Sequence, residues 1–255
     1  MNKINVVNNM IIPFIDNNVI INGNSVDFLG NGDYFIEYIE CDNVEIEFNI
    51  KSNVCIQLFE FSGNKDLSIN VKYSLNDNSS IIVNKFYGNR NTDETVNIYL
   101  KGSKANIKYN FSSISSNADN YLINIYHLDN RTKSDIFNRT VAKEGSSNFF
   151  DINSYVENGI YDCYLNQSTK IATLGESNNR INPNMFISEN STTAIHSSVI
   201  GSISGDDLFY LMSRGITYDD AINLIIKGMI LSNINNNMEI REKILKILEN
   251  REVNR

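Results

Sequence analysis

Between Asp33 and about Phe111, apolar and polar residues alternate in short runs broken by Asn, Asp, Ser and Gly. Val44, Ile46, Phe48 and Ile50 fall on one side of such a run, and Glu45, Glu47 and Asn49 on the other. That two-residue period is the mark of a strand with one buried face. Leu67, Ile69, Val71, Tyr73 and Leu75 repeat it, as do Val96, Ile98 and Leu100, then Ile107, Tyr109 and Phe111. The clusters Gly63-Asn64-Lys65-Asp66 and Gly88-Asn89-Arg90-Asn91 carry the residue types of turns, so a strand begins about every dozen residues. The pattern continues through Tyr121 to Tyr126, Tyr161 to Leu165 and Lys170 to Leu174, up to about Ile203.

This spacing is shared by sandwiches, barrels and stacked coils. Proline stands only at Pro13 and Pro183, so few strand amides are lost and strands can pair on both sides, which leans toward coils. At Ser204 the period changes. Ser204-Gly205-Asp206-Asp207 and Thr217-Tyr218-Asp219-Asp220 have the spacing of helix capping boxes. Leu208, Leu211 and Met212 share one face of the first helix, and Gly215 supplies its left-handed stop. Ala221, Leu224, Ile225 and Gly228 form a stripe on a second. Beyond a loop at Asn233 to Asn237, Ile240, Ile244, Ile247 and Leu248 mark a third. The expected organisation is a β core over 1–203 and a helical segment over 204–255.

Composition narrows the function. The formal charge of −8, without a basic stripe, argues against non-specific nucleic-acid binding. The start of the sequence lacks the cationic head and apolar run of a secretion signal, and the apolar runs are too short for a bilayer. A cytoplasmic protein without membrane contact is expected. Cys41, Cys55 and Cys163 are widely spaced and form no zinc or disulfide pattern. Cys55 and Cys163 read as small buried hydrophobes, and Cys41, before an Asp-Asn turn, as the exposed thiol. Gly30-Asn31-Gly32 reads as a tight turn, and without a Gly-Lys-Ser/Thr phosphate loop no nucleotide should be bound or hydrolysed by this chain.

Leu208-Phe209-Tyr210-Leu211-Met212-Ser213-Arg214-Gly215-Ile216, an acidic pair, and then Ala221-x-x-Leu224-Ile225-x-x-Gly228 resemble the C-terminal signature of the SufB/SufD family of iron-sulfur cluster assembly scaffold subunits. Upstream, Pro183 to Asn190 and Ala194-Ile195-His196-Ser197-Ser198-Val199-Ile200-Gly201 resemble a family stretch, Pro-x-Leu-x-Ile-x-Glu-Asn-Asp-Val-x-Ala-Ser-His-Gly-Ala-x-x-Gly. His127, Thr132 and Ser134 match its His-x-x-x-x-Thr-x-Ser segment, and Gln167 its glutamine. The likeness runs from about Lys104 to Gly228 and fades toward the N-terminus, where the helical region of longer relatives is not matched.

The resemblance implies a mainly β fold, a flattened right-handed parallel β-helix with a small C-terminal helical segment. It implies a non-catalytic scaffold that pairs with itself or a SufB-like subunit, binds a SufC-like ABC ATPase, and carries a transient iron-sulfur cluster. By position His196 is the foremost cluster-ligand candidate, a neutral imidazole being a competent iron ligand; Glu189 and His127 are secondary. Ala194 stands where related sequences carry a cysteine, and Ile195 and Ser197 where others are acidic, so thiolate ligation is absent here. The rival role for His196 is packing at an interface or in the core. Phe209, Tyr210, Ser213, Arg214 and Gly215 are the partner-binding candidates, against the alternative that Phe209 and Leu211 cover the open end of the coils. Two other functions compete: a purely structural assembly partner without cluster ligation, and a β-helix enzyme acting on carbohydrate, which would need clustered acids in a groove.

Overall fold

The computed structural model describes residues 1–63, 66–88, 91–234 and 238–252. Asn64, Lys65, Asn89 and Arg90 of the two expected turns, residues 235–237 of the expected loop, and the Ile247 side chain lie outside the described residues. The strands begin with β1 (Asn2–Val7), β2 (Met10–Ile11), β3 (Val19–Asn22), β4 (Ser25–Phe28), β5 (Gly32–Ile39) and β6 (Asn43–Ile50). Next come β7 (Cys55–Gly63), β8 (Leu67–Leu75), β9 (Ser80–Gly88), β10 (Thr92–Leu100), β11 (Asn106–Ser115) and β12 (Ala118–His127). Then follow β13 (Lys133–Lys143), β14 (Ser147–Val156), β15 (Tyr164–Leu174), β16 (Asn178–Ile187) and β17 (Thr193–Ser202). Helices α1 (Gly205–Ser213), α2 (Tyr218–Ser232) and α3 (Met238–Glu252) complete the order.

From β5 onward each odd strand pairs in parallel with the next odd strand, and from β4 each even strand with the next even strand. Two facing sheets result, wound as a β-solenoid, with one strand of each sheet per coil. Partners in register stand 24 residues apart at Gly32 and Ile56 and 31 apart at Lys133 and Tyr164, so the coils lengthen along the axis. The expected inward columns are realised: Val44, Ile46, Phe48 and Ile50, then Leu67, Ile69, Val71, Tyr73 and Leu75, are all buried.

The turns repeat with the coils. Asn53, Asn78, Lys104, Arg131 and Asp162 all adopt left-handed backbone with φ of 52 to 64°. The amides of the first four donate to Asp77, Ser103, Asn130 and Tyr161 carbonyls of the next coil at 2.8 to 3.1 Å. Asparagine tolerates that conformation better than most side chains, which accounts for part of its abundance here. Gly102 meets a different constraint: a Cβ there would lie 2.1 Å from the Asp77 backbone nitrogen.

The outer face of the even sheet carries matching ladders. Side-chain amides link Asn97, Asn124, Asn153 and Asn184 at 2.9 to 3.1 Å. The rings of Tyr99, Tyr126, Tyr155 and Phe186 stack nearly parallel, with centroids 4.9 to 5.0 Å apart. At the N-terminal end the antiparallel hairpins β1–β2 and β3–β4 finish the sheets with strands of two and four residues.

The helices do not plug the other end. Ile222, Ile226 and Ile230 of α2, with Ile240, Ile244 and Leu248 of α3, pack over the outer face of the odd sheet against Phe35, Phe59, Phe86 and Val141. Asn233, just past α2, donates its side-chain amide to the Phe111 and Phe137 carbonyls at 2.9 Å each. Both helices are capped at their N-termini by the expected residues, with Ser204 and Thr217 hydroxyls accepting from the Asp207 and Asp220 amides, and Gly215 has φ 87°.

The buried stripe of α2 shares Ala221 with the expected one but otherwise differs: it is Ala221, Ile222, Ile226, Ile230 and Leu231, while Leu224 is 51% exposed. Apolar residues take more than half of this helix's circumference, with Asp220, Asn223 and Lys227 on the rest, so its own sequence permits more than one buried stripe and contact with the sheet selects one. Ile230→Ala should therefore cost about 2–5 kcal/mol in urea unfolding, whereas Leu224→Ala on the same helix should stay within about 0.5 kcal/mol of the parent.

Candidate functional site

The C-terminal end of the solenoid is built by β16 and β17. In register, Leu165 pairs with Ala194, Gln167 with His196, and Thr169 with Ser198. Leu165, Gln167 and Thr169 are buried inward positions, so Ala194, His196 and Ser198 occupy the inward column of the last rung. No described strand stacks beyond them, and all ten residues of β17 are exposed. β16 is likewise an edge, its residues exposed or half-buried.

His196 thus stands at an open mouth, one rung above Gln167. That glutamine is 2% exposed and donates its Nε2 to Ser154 Oγ at 2.8 Å and to the Asn184 carbonyl at 3.3 Å. Around the mouth Phe186, Ile195, Val199 and Ile200 are 45 to 53% exposed. The metal-donor chemistry of the last rung is a single imidazole. Among the described residues, no group of three or more His, Cys, Asp or Glu side chains is placed to hold a metal ion.

His127 lies at the end of β12 and is 1% exposed. Its Nδ1 is 2.7 Å from Thr132 Oγ1 and its Nε2 3.0 Å from Ser134 Oγ. Thr132 Oγ1 donates to the Asp129 carbonyl at 3.0 Å, so Nδ1–H donates to Thr132 and Nε2 accepts from Ser134. The Cys163 sulfur joins this network, 3.2 Å from Thr132 Oγ1. Both ring nitrogens are occupied, and burial pushes the imidazole pKa down to about 3, which keeps the ring neutral.

Glu189 belongs to the turn before β17. Its carboxylate accepts the Gly159 amide at 3.1 Å and the Ser191 amide at 3.4 Å, and these bonds lower its pKa.

Beside the mouth, α1 has no buried residue. Phe209 is 76% and Tyr210 58% exposed, so the Phe209 ring does not cover the end of the coils. The Arg214 guanidinium lies 5.3 Å from the Tyr210 ring centroid, and Ser213 Oγ donates to the Tyr210 carbonyl at 2.7 Å. Phe209, Tyr210, Ser213, Arg214 and Gly215 are therefore contiguous on one short helix and its cap.

Two of the three thiols reverse their expected places. Cys41 is buried, its Sγ donating to the Ile39 and Val6 carbonyls at 3.3 and 3.4 Å, because the left-handed Glu40 (φ 53°) turns the chain inward. Cys55 is exposed, being out of phase with the inward Ile56 and Leu58. Cys163 is buried as expected. Sequence reasoning also missed a buried ionic cluster of Glu60, Lys85 and Glu94. Its signal was there: each charge falls in phase with inward apolar neighbours, Leu58, Val83 and Val96.

The family model described as the SUF system FeS cluster assembly SufBD core domain matches residues 35–229. The iron-sulfur cluster assembly protein SufD of Bacillus subtilis (strain 168) is 27% identical over 149 residues, 58% of this chain and 34% of that protein. An iron-sulfur cluster assembly SufBD family protein of Mycobacterium tuberculosis (strain ATCC 25618 / H37Rv) is 31% identical over 107 residues. That match covers 41% of this chain and 12% of the relative. The chain thus spans about a third or less of the length of these relatives.

The depressed pKa of His127 has a signed consequence. Its stabilising share is complete above the unfolded value of 6.5 and is withdrawn as pH falls from there toward about 3, because only the unfolded chain takes up the proton. Nitrogen NMR of the imidazole should show the neutral Nδ1–H tautomer unchanged from pH 7.5 to 5. A titration midpoint inside that window would contradict the assignment.

Proposed function

This chain belongs to the SufBD core family of the SUF iron-sulfur cluster assembly system, and on that premise we propose that it is a non-catalytic scaffold subunit working through two surfaces. The open solenoid end pairs with a second subunit, a SufB-like chain or another copy. The exposed α1 docks a SufC-like ABC ATPase. The observation that carries the reading is the asymmetry of the two ends. Hairpins with very short edge strands blunt the N-terminal end. At the other end two ten-residue strands, one of them wholly exposed, present an outer edge that no described strand pairs. Proteins normally avoid such edges because unpaired amides and carbonyls template pairing with another chain. An edge this long, rimmed by Ile195, Val199 and Ile200, suits a subunit junction.

The cluster is cargo at that junction. Two- and four-iron clusters usually need four protein donors, and His196 supplies one; the others come from the facing subunit. Movement of the helices by the ATPase opens and closes the junction, a bistable interface biased by nucleotide. Phe209, Tyr210 and Arg214 fit the docking role because exposed aromatic and arginine side chains are the residue types that anchor interfaces. No described helix is long and apolar enough to cross a membrane, and we place the work in the cytoplasm. Ala194 and Ser197 favour a second reading, in which this subunit pairs and docks but ligates nothing.

The two surfaces separate by mutation. Phe209→Ala with Tyr210→Ala should weaken capture of the SufC-like ATPase from the same organism by about thirtyfold, the scale of an interface hot spot, and leave subunit pairing intact. Ile195→Lys with Val199→Lys should abolish pairing in light scattering and leave ATPase capture intact. Failure of the parent chain to associate with that ATPase would refute the docking role. Anaerobic reconstitution of the paired complex with iron and sulfide discriminates the second reading: His196→Ala should bleach or shift the visible spectrum, and an unchanged spectrum removes His196 from the ligand set.

A further inference from the structure

The buried ionic cluster lies inside the coils built by β5 to β11, on inward positions with no role in the mouth. Glu60 and Lys85 are 0% exposed and Glu94 is 1% exposed. Lys85 Nζ lies 2.8 Å from Glu94 Oε1 and 3.4 Å from Glu60 Oε2. The rings of Tyr73, Tyr87 and Tyr109 surround it, with centroids 5.3 to 5.7 Å away. Ionised as in water, two carboxylates and one ammonium would leave a net negative charge sealed from solvent, which a low-dielectric interior strongly disfavours. One retained proton removes it.

Hydrogen bonding says which carboxyl retains the proton. Glu60 accepts three donors: the Tyr38 hydroxyl at 2.8 Å, the Tyr73 hydroxyl, and Lys85. Donors on both oxygens favour the ionised form. On Glu94 the close donors crowd one atom: Oε1 takes Lys85 at 2.8 Å and the Tyr87 hydroxyl at 3.1 Å, which fills both lone pairs of a carbonyl oxygen. Among the described residues Oε2 has one hydrogen-bond neighbour, the Tyr109 hydroxyl at 3.5 Å, a rotor that can turn to accept.

We infer that Glu94 is an un-ionised carboxylic acid in the folded protein at neutral pH, its proton on Oε2, so that Lys85 pairs with the Glu60 carboxylate and the cluster is neutral. Burial raises the Glu94 pKa against the opposing pull of Lys85, in the direction this requires. The other groups facing the cluster do not supply the missing positive charge. Tyr38, Tyr73, Tyr87 and Tyr109 are held protonated by burial and by the neighbouring carboxylates. On β12, Tyr121 is likewise held protonated, and Asp119 is engaged as an acceptor of the Thr92 amide at 2.8 Å.

The cluster is therefore a pH-responsive element of the fold. Because the folded chain holds a proton that an unfolded Glu94 gives up above 4.5, its favourable share is fullest in acid and declines as pH rises toward the folded pKa. Glu94→Gln, a neutral mimic of the acid, removes that decline. Relative to this variant, the unfolding constant of the parent should rise by up to about tenfold per pH unit between pH 5 and 7, the slope of one proton. Equal slopes overturn the proposal.

Infrared spectra at pH 7 give an independent readout. The parent should show the carbonyl stretch of a carboxylic acid, and the variant should lack it. No such band in the parent, or its survival in the variant, overturns the assignment. Should the variant fail to fold, carboxyl-carbon NMR of glutamate-labelled parent protein decides. One resonance near the Tyr109 ring is expected to keep its acid-form shift at pH 7, and carboxylate shifts for every glutamate would refute it.

Discussion

The parallel stacking of coils is the constraint from which the rest follows. Each interior strand spends its amides and carbonyls on the coil before and the coil after, so a side chain in one coil sits directly over its partner in the next. Columns must then be compatible from end to end. The asparagine ladder on the outer face meets this by letting every amide donate to the next, and the aromatic ladder by stacking rings at about one strand separation. The left-handed turn positions from Asn53 to Asp162 obey the same rule in the backbone. Stacking also forces the ends to be special, because the first and last coils each lack a neighbour.

The two ends meet that lack differently, and the proposed function rests on the difference. At the start, antiparallel hairpins shorten the edges to strands of two and four residues. At the finish, the chain leaves β17 for helices that turn aside and pack along the odd sheet, so the last rung stays open. The same path places α1 beside the mouth while α2 and α3 bind to several coils through Phe35, Phe59, Phe86 and Val141. A force applied to the helices is therefore coupled to the body of the solenoid, as the proposed ATPase-driven junction requires.

Local alternation made the inward columns of β6, β8, β10 and the start of β11 readable, since a two-residue period needs no knowledge of partners. It could not say whether strands pair into a sandwich, a barrel or coils, because pairing is non-local, and the family resemblance supplied that choice. The period was fainter from β13 to β15, where inward positions include Ser134, Asn138, Thr140, Ser154, Gln167 and Thr169. Polar interiors do not announce themselves to a hydrophobic pattern. The same habit of reading only apolar residues hid Glu60, Lys85 and Glu94. Cys41 and Cys55 were exchanged because a left-handed residue or a one-residue change of phase flips a side chain across the sheet. At the site, alternation with Ala194 and Ser198 puts His196 on one face of β17. Its exposure was not legible, because the absence of a following coil is no property of the strand itself.

The polar lining of the last coils bears on why an open end is tolerable. In the first coils the interior is Val, Ile, Leu, Phe and Tyr, and its charges are tied into the one cluster around Lys85. Toward the mouth, Gln167 bonds Ser154, Asn138 donates to Thr169, and Ser113 bonds Thr140, so hydroxyls and amides line the lumen beneath His196. Wetting apolar surface costs about 25 cal/mol per Å², whereas hydroxyls and amides exchange one hydrogen-bond partner for another at little net cost. A solenoid apolar throughout would be driven to keep its end permanently covered. One with a polar throat can expose the last rung, pair through it and release it again, and that reversibility is what the proposed subunit junction with its transient cargo demands.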